Sequence, residues 1–215
     1  MNCIFIHGLG QKPSSWDKVI SLMPEQLHVA CPDLFALING MEAKYQSLYR
    51  AFSAYCTKQA EPLNLCGLSL GGVLAIHYAI DNPAKMQSLV LISAQYKMPK
   101  NLLKIQNAMF RLMPKSLFKN MGLQKSEVIG LTKSMMDLDF SKRLKDISCP
   151  TLILCGEKDG ANKKAAKGLA ENIPNAKLRL VDRAGHELNV ESPDGLAAIL
   201  SAFYIKEHDG ACPID

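Results

Sequence analysis

The stretch Asn64–Ile80, NLCGLSLGGVLAIHYAI, joins a short apolar run to a longer one through glycines and a single serine, Ser69. An ordinary turn would use Asn, Asp or Pro as readily as this combination. Glycine two residues before the serine (Gly67) and two after it (Gly71) instead predicts a turn so sharp that neither position has room for a side chain. Ser69 is therefore a candidate nucleophile, provided that the rest of the chain supplies chemical partners for it.

Short apolar runs alternate with helical patterns on both sides of this stretch. Most of the runs are apolar on both faces, which is typical of parallel strands covered on both sides. The alternation predicts an α/β fold with a mainly parallel sheet of about six strands flanked by helices. The predicted strands are Cys3–Ile6, His28–Cys31, Leu63–Cys66, Ser88–Ser93, Thr151–Cys155 and Lys177–Val181. The predicted helices cover about 14–23, 42–59, 70–82, 163–172 and 193–206.

One segment, about residues 95–140, breaks the alternation. It has no strand pattern and consists of helical pieces rich in Met, Leu, Phe and Lys, interrupted by Pro99, Pro114 and Gly122. We interpret it as a short helical insertion, a lid, at the edge of the sheet. The length of 215 residues suits one well-cored domain, so we expect a single domain over residues 1–215.

The composition is that of a soluble globular protein, with 48% hydrophobic and 21% charged residues. No apolar run approaches the ~20 residues that span a bilayer, and the N-terminus lacks the basic leader of a signal peptide. The chain has seven cysteines and no CxxC pair. An odd number of cysteines without a leader indicates a reducing cytoplasm, and the absence of ligand spacing argues against a metal site.

The net charge of +5 is uneven along the chain. Residues 95–136 contain eight Lys and Arg residues against one acid, Glu127. We interpret these cations as the solvated face of the helical insertion. Attraction to an anionic substrate or a membrane surface is the alternative, which we do not favour. We expect no nucleic-acid partner, and no oligomeric state is predicted.

Polar residues follow four of the predicted strands, where open parallel sheets bind their ligands. His7-Gly8-Leu9-Gly10 follows the first strand, and Ser69 follows the third. Asp159 lies in the loop after the fifth strand, and His186 follows the sixth. Because the carboxyl ends of parallel strands share one edge, a serine, an acid and a histidine are expected to meet there.

These residue types fit nucleophilic catalysis. A serine hydroxyl attacks well only when a base takes its proton, and histidine is the side chain that does so near neutral pH. A carboxylate behind the histidine fixes its tautomer. The oxyanion of the tetrahedral intermediate needs preset donors, for which the amides of Leu70, at a helix start, and Leu9 are placed. Glu157 and Asp182 are alternative acids on position alone.

The sequence resembles the α/β-hydrolase superfamily, in which a GxSxG elbow follows a central parallel strand. The matching segments are Gly67-Leu68-Ser69-Leu70-Gly71, the loop His7-Gly8-Leu9-Gly10, the strand and loop 150–159, and Ala184-Gly185-His186. The resemblance implies Ser69, Asp159 and His186 as the catalytic triad and His7 as a structural residue. It implies no cofactor. Family members begin with an antiparallel hairpin that this sequence lacks, so a trimmed sheet is expected.

The resemblance implies hydrolysis of a small-molecule carboxylic ester through an acyl-enzyme on Ser69. Thioesterase, peptidase and carbon–carbon bond hydrolase activities need the same triad and stay open. A non-catalytic ligand sensor built on the same fold is an alternative of another class. We expect the substrate pocket to be formed by apolar side chains, several of them adaptable methionines. The predicted pocket residues are Trp16, Met109, Phe110, Met113 and Met135.

Overall fold

Six apolar runs form the strands of one sheet in the computed structural model of this chain. The structure describes residues 1–208, without the side chains of 119–121 and 206–208, and residues 209–215 lie outside the described part of the chain. The strands are β1 (Asn2–Ile6), β2 (His28–Ala30), β3 (Leu63–Leu68), β4 (Met86–Ile92), β5 (Thr151–Gly156) and β6 (Ala176–Val181).

The strands lie in the order β2-β1-β3-β4-β5-β6, and every neighbouring pair is parallel. The predicted α/β fold with a parallel sheet is thus confirmed. The chain starts at the second strand from one edge, moves outward to the edge strand β2 and then returns to β3 on the other side of β1. This reversal makes the carboxyl ends of β1 and β3 the place where a ligand crevice is expected.

Helices cover both faces of the sheet. The helices are α1 (Asp17–Ile20), α2 (Tyr45–Cys56), α3 (Leu70–Asp81), α4 (Lys100–Leu112), α5 (Lys125–Ser134), α6 (Lys163–Asn172), α7 (Leu188–Glu191) and α8 (Pro193–His208). On one face, α2 and α3 pack against side chains such as Ile4 and Leu65. On the other, α8 packs against side chains such as Phe5 and Cys66. Between β4 and β5 the chain forms α4 and α5, within the segment predicted to be helical.

The strands read as continuous apolar runs because both of their faces are buried. In β1, Ile4 and Ile6 belong to the core on one side of the sheet, whereas Cys3 and Phe5 belong to the core on the other. Each fully buried aliphatic side chain contributes about 1.5–3 kcal/mol relative to an exposed one. Burial also raises the pKa of the Cys3 thiol to about 12, so this cysteine acts as a small hydrophobic group.

Helix α3 is apolar nearly all round because it lies between the sheet and α2. His77 is an exception, and its ring stacks on Tyr49 with centroids 3.6 Å apart. The Tyr49 hydroxyl donates to Asp81 (2.6 Å), and Arg143 donates to the same carboxylate (3.0 Å). Polar contacts therefore join α2, α3 and the segment before β5. No helix within residues 1–208 is long and apolar enough to cross a bilayer.

The turn after β3 brings α3 into contact with the end of β1. A Cβ atom placed on Gly71 would lie 2.2 Å from the carbonyl oxygen of Ile6, and one on Gly67 would lie 2.3 Å from the carbonyl oxygen of Gly71. Real Cβ atoms do not approach main-chain atoms so closely. The prediction that both positions exclude a side chain is therefore confirmed.

We expect Gly71→Ala to lower the free energy of unfolding by ~3 kcal/mol or more, because the new methyl group can be relieved only by moving main chain. Urea denaturation followed by circular dichroism measures this change. Gly160→Ala is the matched control, since a Cβ there meets nothing within 4 Å, and its effect should stay within about 0.5 kcal/mol. Equal midpoints for Gly71→Ala and the wild type would contradict the close approach of α3 to β1.

Candidate active site

Ser69 occupies a strained turn between β3 and α3. Its backbone has φ 53° and ψ −112°, in the half of conformational space that side-chain-bearing residues rarely adopt. Such a conformation costs ~1–3 kcal/mol and persists only where the surroundings enforce it. Here the Ser69 amide donates to Ile92 O (2.9 Å), and the Ser69 carbonyl accepts from Val73 N (3.1 Å). The side chain is half-buried and lines a cavity at the carboxyl edge of the sheet.

Asp159 and His186 form a hydrogen-bonded pair at the same edge. The loop after β5 carries Asp159, which is buried, and the loop after β6 carries His186, which is half-buried. His186 Nδ1 lies 3.0 Å from Asp159 Oδ2. The two loops approach closely because Gly156 has no side chain: a Cβ there would lie 2.1 Å from the carbonyl oxygen of Gly185.

The charges of this pair support each other. The hydrogen bond to Asp159 raises the pKa of His186 above its usual value, although burial works in the opposite direction. Burial raises the pKa of Asp159, but hydrogen bonds from His186 and Asn162 outweigh burial, and the net pKa is lowered. An ionised Asp159 accepts only, so Nδ1 of His186 carries the proton. Nε2 is therefore left with a lone pair that can act as a base.

Ser69 and His186 line the same cavity. Within residues 1–208, His186 is hydrogen-bonded to Asp159. No hydrogen bond joins Ser69 Oγ to the His186 ring in this part of the chain. Catalytic hydrogen bonds of this kind are often long before substrate binds and tighten in the reacting complex. The fold thus brings together the three side chains that the sequence singled out, and two of them, Asp159 and His186, are already hydrogen-bonded to each other.

Leu9 and Leu70, the predicted oxyanion donors, also line this cavity. Leu9 belongs to a tight turn in which the Gln11 amide donates to Gly8 O (3.2 Å), and Gly10 has φ 87°, as the third residue of a type II turn requires. Leu70 is the first residue of α3, where main-chain amides have no partner inside the helix. His7 holds this loop, since its Nε2 accepts from Leu34 N (3.1 Å) and its Nδ1 contacts Gly8 O (3.0 Å).

The cavity has a volume of about 400 Å³ and is mostly apolar. Within the described part of the chain, the residues around it include no Lys, Arg, Asp or Glu, and His186 is the titratable side chain among them. The loop after β4 and the helices α4 and α5 supply most of the wall opposite Ser69. The residues that they contribute are Gln95, Met98, Pro99, Leu102, Leu103, Gln106, Phe110, Thr132 and Met135.

Two of the five predicted pocket residues, Phe110 and Met135, line this cavity. Trp16 does not, because it is fully buried in the core on the opposite face of the sheet, with its ring 5.0 Å from that of Phe5. Met109 is 59% exposed on the outer side of α4, and Met113 packs just beyond the end of that helix. The prediction that Trp16, Met109 and Met113 line the pocket is therefore corrected, since none of them belongs to the wall of this cavity.

Two buried amides that the sequence did not single out connect the loops of the site. Gln11 Nε2 donates to Asn189 Oδ1 (3.1 Å) and Glu187 Oε1 (3.0 Å), and Asn189 Nδ2 donates back to Gln11 Oε1 (3.1 Å). The turn that carries Leu9 is thereby bonded to the segment after His186. The sequence does not reveal this pair, because the two residues are 178 positions apart and each looks like an ordinary polar residue.

A carboxylate holds the histidine loop from the other side. Glu191 accepts hydrogen bonds from the amides of Gly185 (2.7 Å) and Glu187 (3.0 Å), the two neighbours of His186. Glu157, an alternative acid by sequence, instead accepts from Arg183 N (3.1 Å). Within the described residues, the hydrogen bonds of the His186 ring lead to Asp159 and Asn162 and not to Glu157. Asp159 is thus the carboxylate that can orient the imidazole, whereas Glu157 and Glu191 bond main-chain amides of the surrounding loops.

Part of the positive charge in residues 95–136 is matched locally. Lys97 pairs with Asp139 (2.9 Å) and Lys100 with Asp137 (2.6 Å), both just beyond that segment. Lys125 Nζ donates to the carbonyl oxygens of Arg111 and Met113 (2.6 Å each). A second hollow, about 840 Å³ and open to solvent, lies beside Lys125 and contains none of the predicted site residues. Among residues 1–208, no three His, Cys, Asp or Glu side chains are arranged to hold a metal ion.

The fold and these residues place the chain in a known class. The model of the alpha/beta hydrolase family matches residues 3–199. The protein belongs to that family. The match covers five strands completely, β1 apart from its first residue, and every predicted catalytic residue.

Individual relatives share low sequence identity with this chain. The chain is 26% identical over 215 residues to a pimeloyl-[acyl-carrier protein] methyl ester esterase of Legionella pneumophila (strain Corby), covering 86% of this chain and 87% of the relative. It is 19% identical to the mouse monoacylglycerol lipase ABHD6, covering 96% and 76%. A solved carboxylesterase structure from Nitrososphaera gargenis superposes with a TM-score of 0.82 at 17% identity, covering 98% of this chain and 92% of that one. The structural likeness shows the fold.

The Asp159–His186 pair predicts a pH dependence. The base must be neutral to act, so its raised pKa should place the acid limb of kcat/KM above the value near 6.5 that is usual for histidine. Asp159→Asn should move that limb to lower pH and reduce kcat on the order of 10⁴-fold. Hydrolysis of p-nitrophenyl acetate between pH 5 and 9 measures both effects.

Glu157→Gln is the matched control, because Glu157 bonds a main-chain amide of the neighbouring loop and not the imidazole. Its acid limb should stay where it is in the wild type. A shift of the limb in Glu157→Gln, with none in Asp159→Asn, would assign the role of the acid to Glu157.

Proposed function

We propose that this protein hydrolyses a carboxylic ester of a small molecule through an acyl-enzyme on Ser69. The observation that carries the proposal is the shared cavity: a serine on a strained turn faces the same space as an imidazole that is bonded to a buried carboxylate. The names of the relatives support an ester as the substrate, since esterases and lipases are among them. No cofactor takes part in the proposed reaction.

Each side chain has one task in the proposed mechanism. His186 Nε2 takes the proton of Ser69 Oγ as the oxygen attacks the ester carbonyl. The amides of Leu9 and Leu70 bind the oxyanion that forms. When the intermediate collapses, the carbon–oxygen bond to the alcohol breaks and His186 returns the proton to the leaving alkoxide. Water then attacks the acyl-enzyme by the same steps, while Asp159 stabilises the imidazolium.

We propose that the helical segment 95–140 is a lid, and that residues 1–215 form one domain around it. The lid proposal is supported by the cavity wall, most of which comes from this segment opposite Ser69. A cytoplasmic location is supported by buried cysteines that stand as separate thiols, including Cys3, Cys56 and Cys66. Cell fractionation tests the location: recovery with the periplasmic or secreted proteins would overturn it.

The uncharged cavity favours a substrate that is neutral near the scissile bond. A carboxylate bound there would lose water without gaining a cationic partner, which is unfavourable by several kcal/mol. A carbon–carbon bond hydrolase or lyase that acts on a carboxylate substrate is therefore less well supported. Thioesters and amides pass through the same intermediate on the same triad, and an ester is proposed over them because of the relatives' names.

A fluorophosphonate probe tests the nucleophile directly. We expect the probe to label the wild type at Ser69 and to leave Ser69→Ala unlabelled, because phosphonylation needs an activated hydroxyl. Mass spectrometry of the labelled peptide identifies the residue. A folded wild type that fails to react would favour the non-catalytic ligand sensor, and labelling elsewhere would assign the nucleophile to another residue.

The charge of the cavity predicts a preference among substrates. In a panel of p-nitrophenyl esters, a neutral acyl chain should be hydrolysed with kcat/KM at least ~10-fold above that of a matched ester with a carboxylate on the chain, since one uncompensated charge costs more than ~1.4 kcal/mol. The pair p-nitrophenyl butyrate and p-nitrophenyl hemisuccinate, with chains of similar length, makes this comparison. Equal or reversed preference would show that a cation reaches the bound substrate.

A further inference from the structure

We infer that Asn162 and Gln95 act as a positioning relay that fixes the orientation of the Asp159 carboxylate. Asn162 is buried, and its Nδ2 donates to both oxygens of Asp159, at 2.8 and 2.9 Å. Gln95 Nε2 donates to the other end of the same amide, Asn162 Oδ1, at 2.8 Å. The inference rests on the proposed function, because it assigns roles toward the acid of that reaction.

The position of Asn162 argues against a purely structural role. It is the N-cap residue of α6, and asparagine at this position usually accepts hydrogen bonds from the first amides of the helix. The side chain of Asn162 makes no such bond. Its hydrogen-bonding capacity is directed instead at Asp159 and Gln95, so the helix gives up a stabilising cap while the carboxylate gains two donors.

The polarity of the relay is fixed at both ends. At one end, Gln95 Nε2 also donates to the carbonyl oxygen of Ala161 (3.3 Å), which can only accept. The Gln95 amide nitrogen is therefore directed at Asn162, whose oxygen faces Gln95 and whose nitrogen faces Asp159. At the other end, the ionised carboxylate also only accepts. Each amide can therefore satisfy its partners in one orientation and not in the flipped one.

The relay places Asp159 where His186 needs it. Asn162 Nδ2 lies 3.2 Å from His186 Nδ1, so the three groups meet around one carboxylate. With both of its hydrogens directed at Asp159, Asn162 leaves Oδ2 facing the imidazole proton. Gln95 lies between β4 and α4 and lines the cavity. The first residues of the helical segment are thereby connected to the catalytic acid.

Steady-state kinetics on variants of Asn162 and Gln95 tests the relay, with p-nitrophenyl butyrate as substrate. Asn162→Ala should lower kcat by ~10–100-fold with little change in KM, the size typical when the partner that orients a functional group is lost. Asn162→Asp should also move the acid limb of kcat/KM to higher pH, because a second carboxylate beside His186 favours the imidazolium. This shift tests the position of Asn162 beside the imidazole, whereas the orienting role is tested by the kcat of Asn162→Ala and of the Gln95 variants.

Two substitutions of Gln95 distinguish the orientation of the Asn162 amide from the mere presence of a contact with it. Gln95→Glu offers Asn162 an acceptor where the wild type offers a donor, so the Asn162 amide should flip and turn its oxygen toward Asp159. We expect kcat to fall at least as far as in Asn162→Ala. Gln95→Met removes the contact without reversing it and should cost less. In the Asn162→Ala background, Gln95→Glu should add little further loss, since residues that act through one another are not additive.

Asn172→Ala is the matched control, because this amide lies at the other end of α6, where it donates to Gly168 O. It should keep the kcat of the wild type. Wild-type kcat in Asn162→Ala, or additive losses in the double variant, would overturn the relay. Should Asn162→Ala fail to fold by circular dichroism, Gln95→Glu against Gln95→Met decides the question, and equal kcat in these two would overturn it.

The fluorophosphonate probe distinguishes failure of the relay from failure of the proposed function. A wild type that does not react contradicts the proposed function itself, and with it the relay. A wild type that reacts, together with an Asn162→Ala variant that reacts at the same rate, contradicts the relay alone. We expect the variant to react at least ~10-fold more slowly, in line with its loss of kcat.

Discussion

The site depends on two places where main chain touches main chain because a side chain is missing. At Gly71 the start of α3 approaches the carbonyl oxygens of Ile6 and His7, and this contact puts the turn at Ser69 beside the loop that carries Leu9. At Gly156 the end of β5 approaches the carbonyl oxygens of Ala184 and Gly185, which brings the loop of the acid to the loop of the histidine. The sheet aligns the strand ends, but these contacts close the remaining distance.

Buried side-chain amides then hold the loops that the glycines allow to meet. An amide has a donor end and an acceptor end, so a network of amides specifies an orientation as well as a distance. Gln11 and Asn189 exchange hydrogen bonds across the cleft between the oxyanion turn and the histidine loop. Asn162 does the equivalent for the acid. Loops are the mobile part of such a fold, and these bonds restrain them where the chemistry needs fixed geometry.

The strands and the chemical residues could be predicted because both obey local rules. Apolar runs located all six strands to within about two residues, and the order of polar residues after them located Ser69, Asp159 and His186. Gln11, Asn162 and Asn189 could not be predicted, since their meaning comes from partners distant in the chain. The sequence predicts Trp16 in the pocket, but this residue follows β1 on the face that packs against α8, so its side chain lies in the core. The rotation of α4, which exposes Met109 and directs Phe110 inward, depends on packing that periodicity does not specify.

The strand ends and the helical segment between β4 and β5 contribute different parts of the site. Under the proposed function, the strand ends supply the reacting groups, whereas α4, α5 and the loop after β4 supply the cavity wall that a particular substrate would have to fit. Gln95 belongs to both parts, because it lines the cavity and bonds the amide that orients Asp159. Under the proposed relay, a substrate that contacts Gln95 would affect the orientation of Asp159 as well as its own binding. Selectivity in such a site is then expressed in the rate of the chemical step and not in affinity alone.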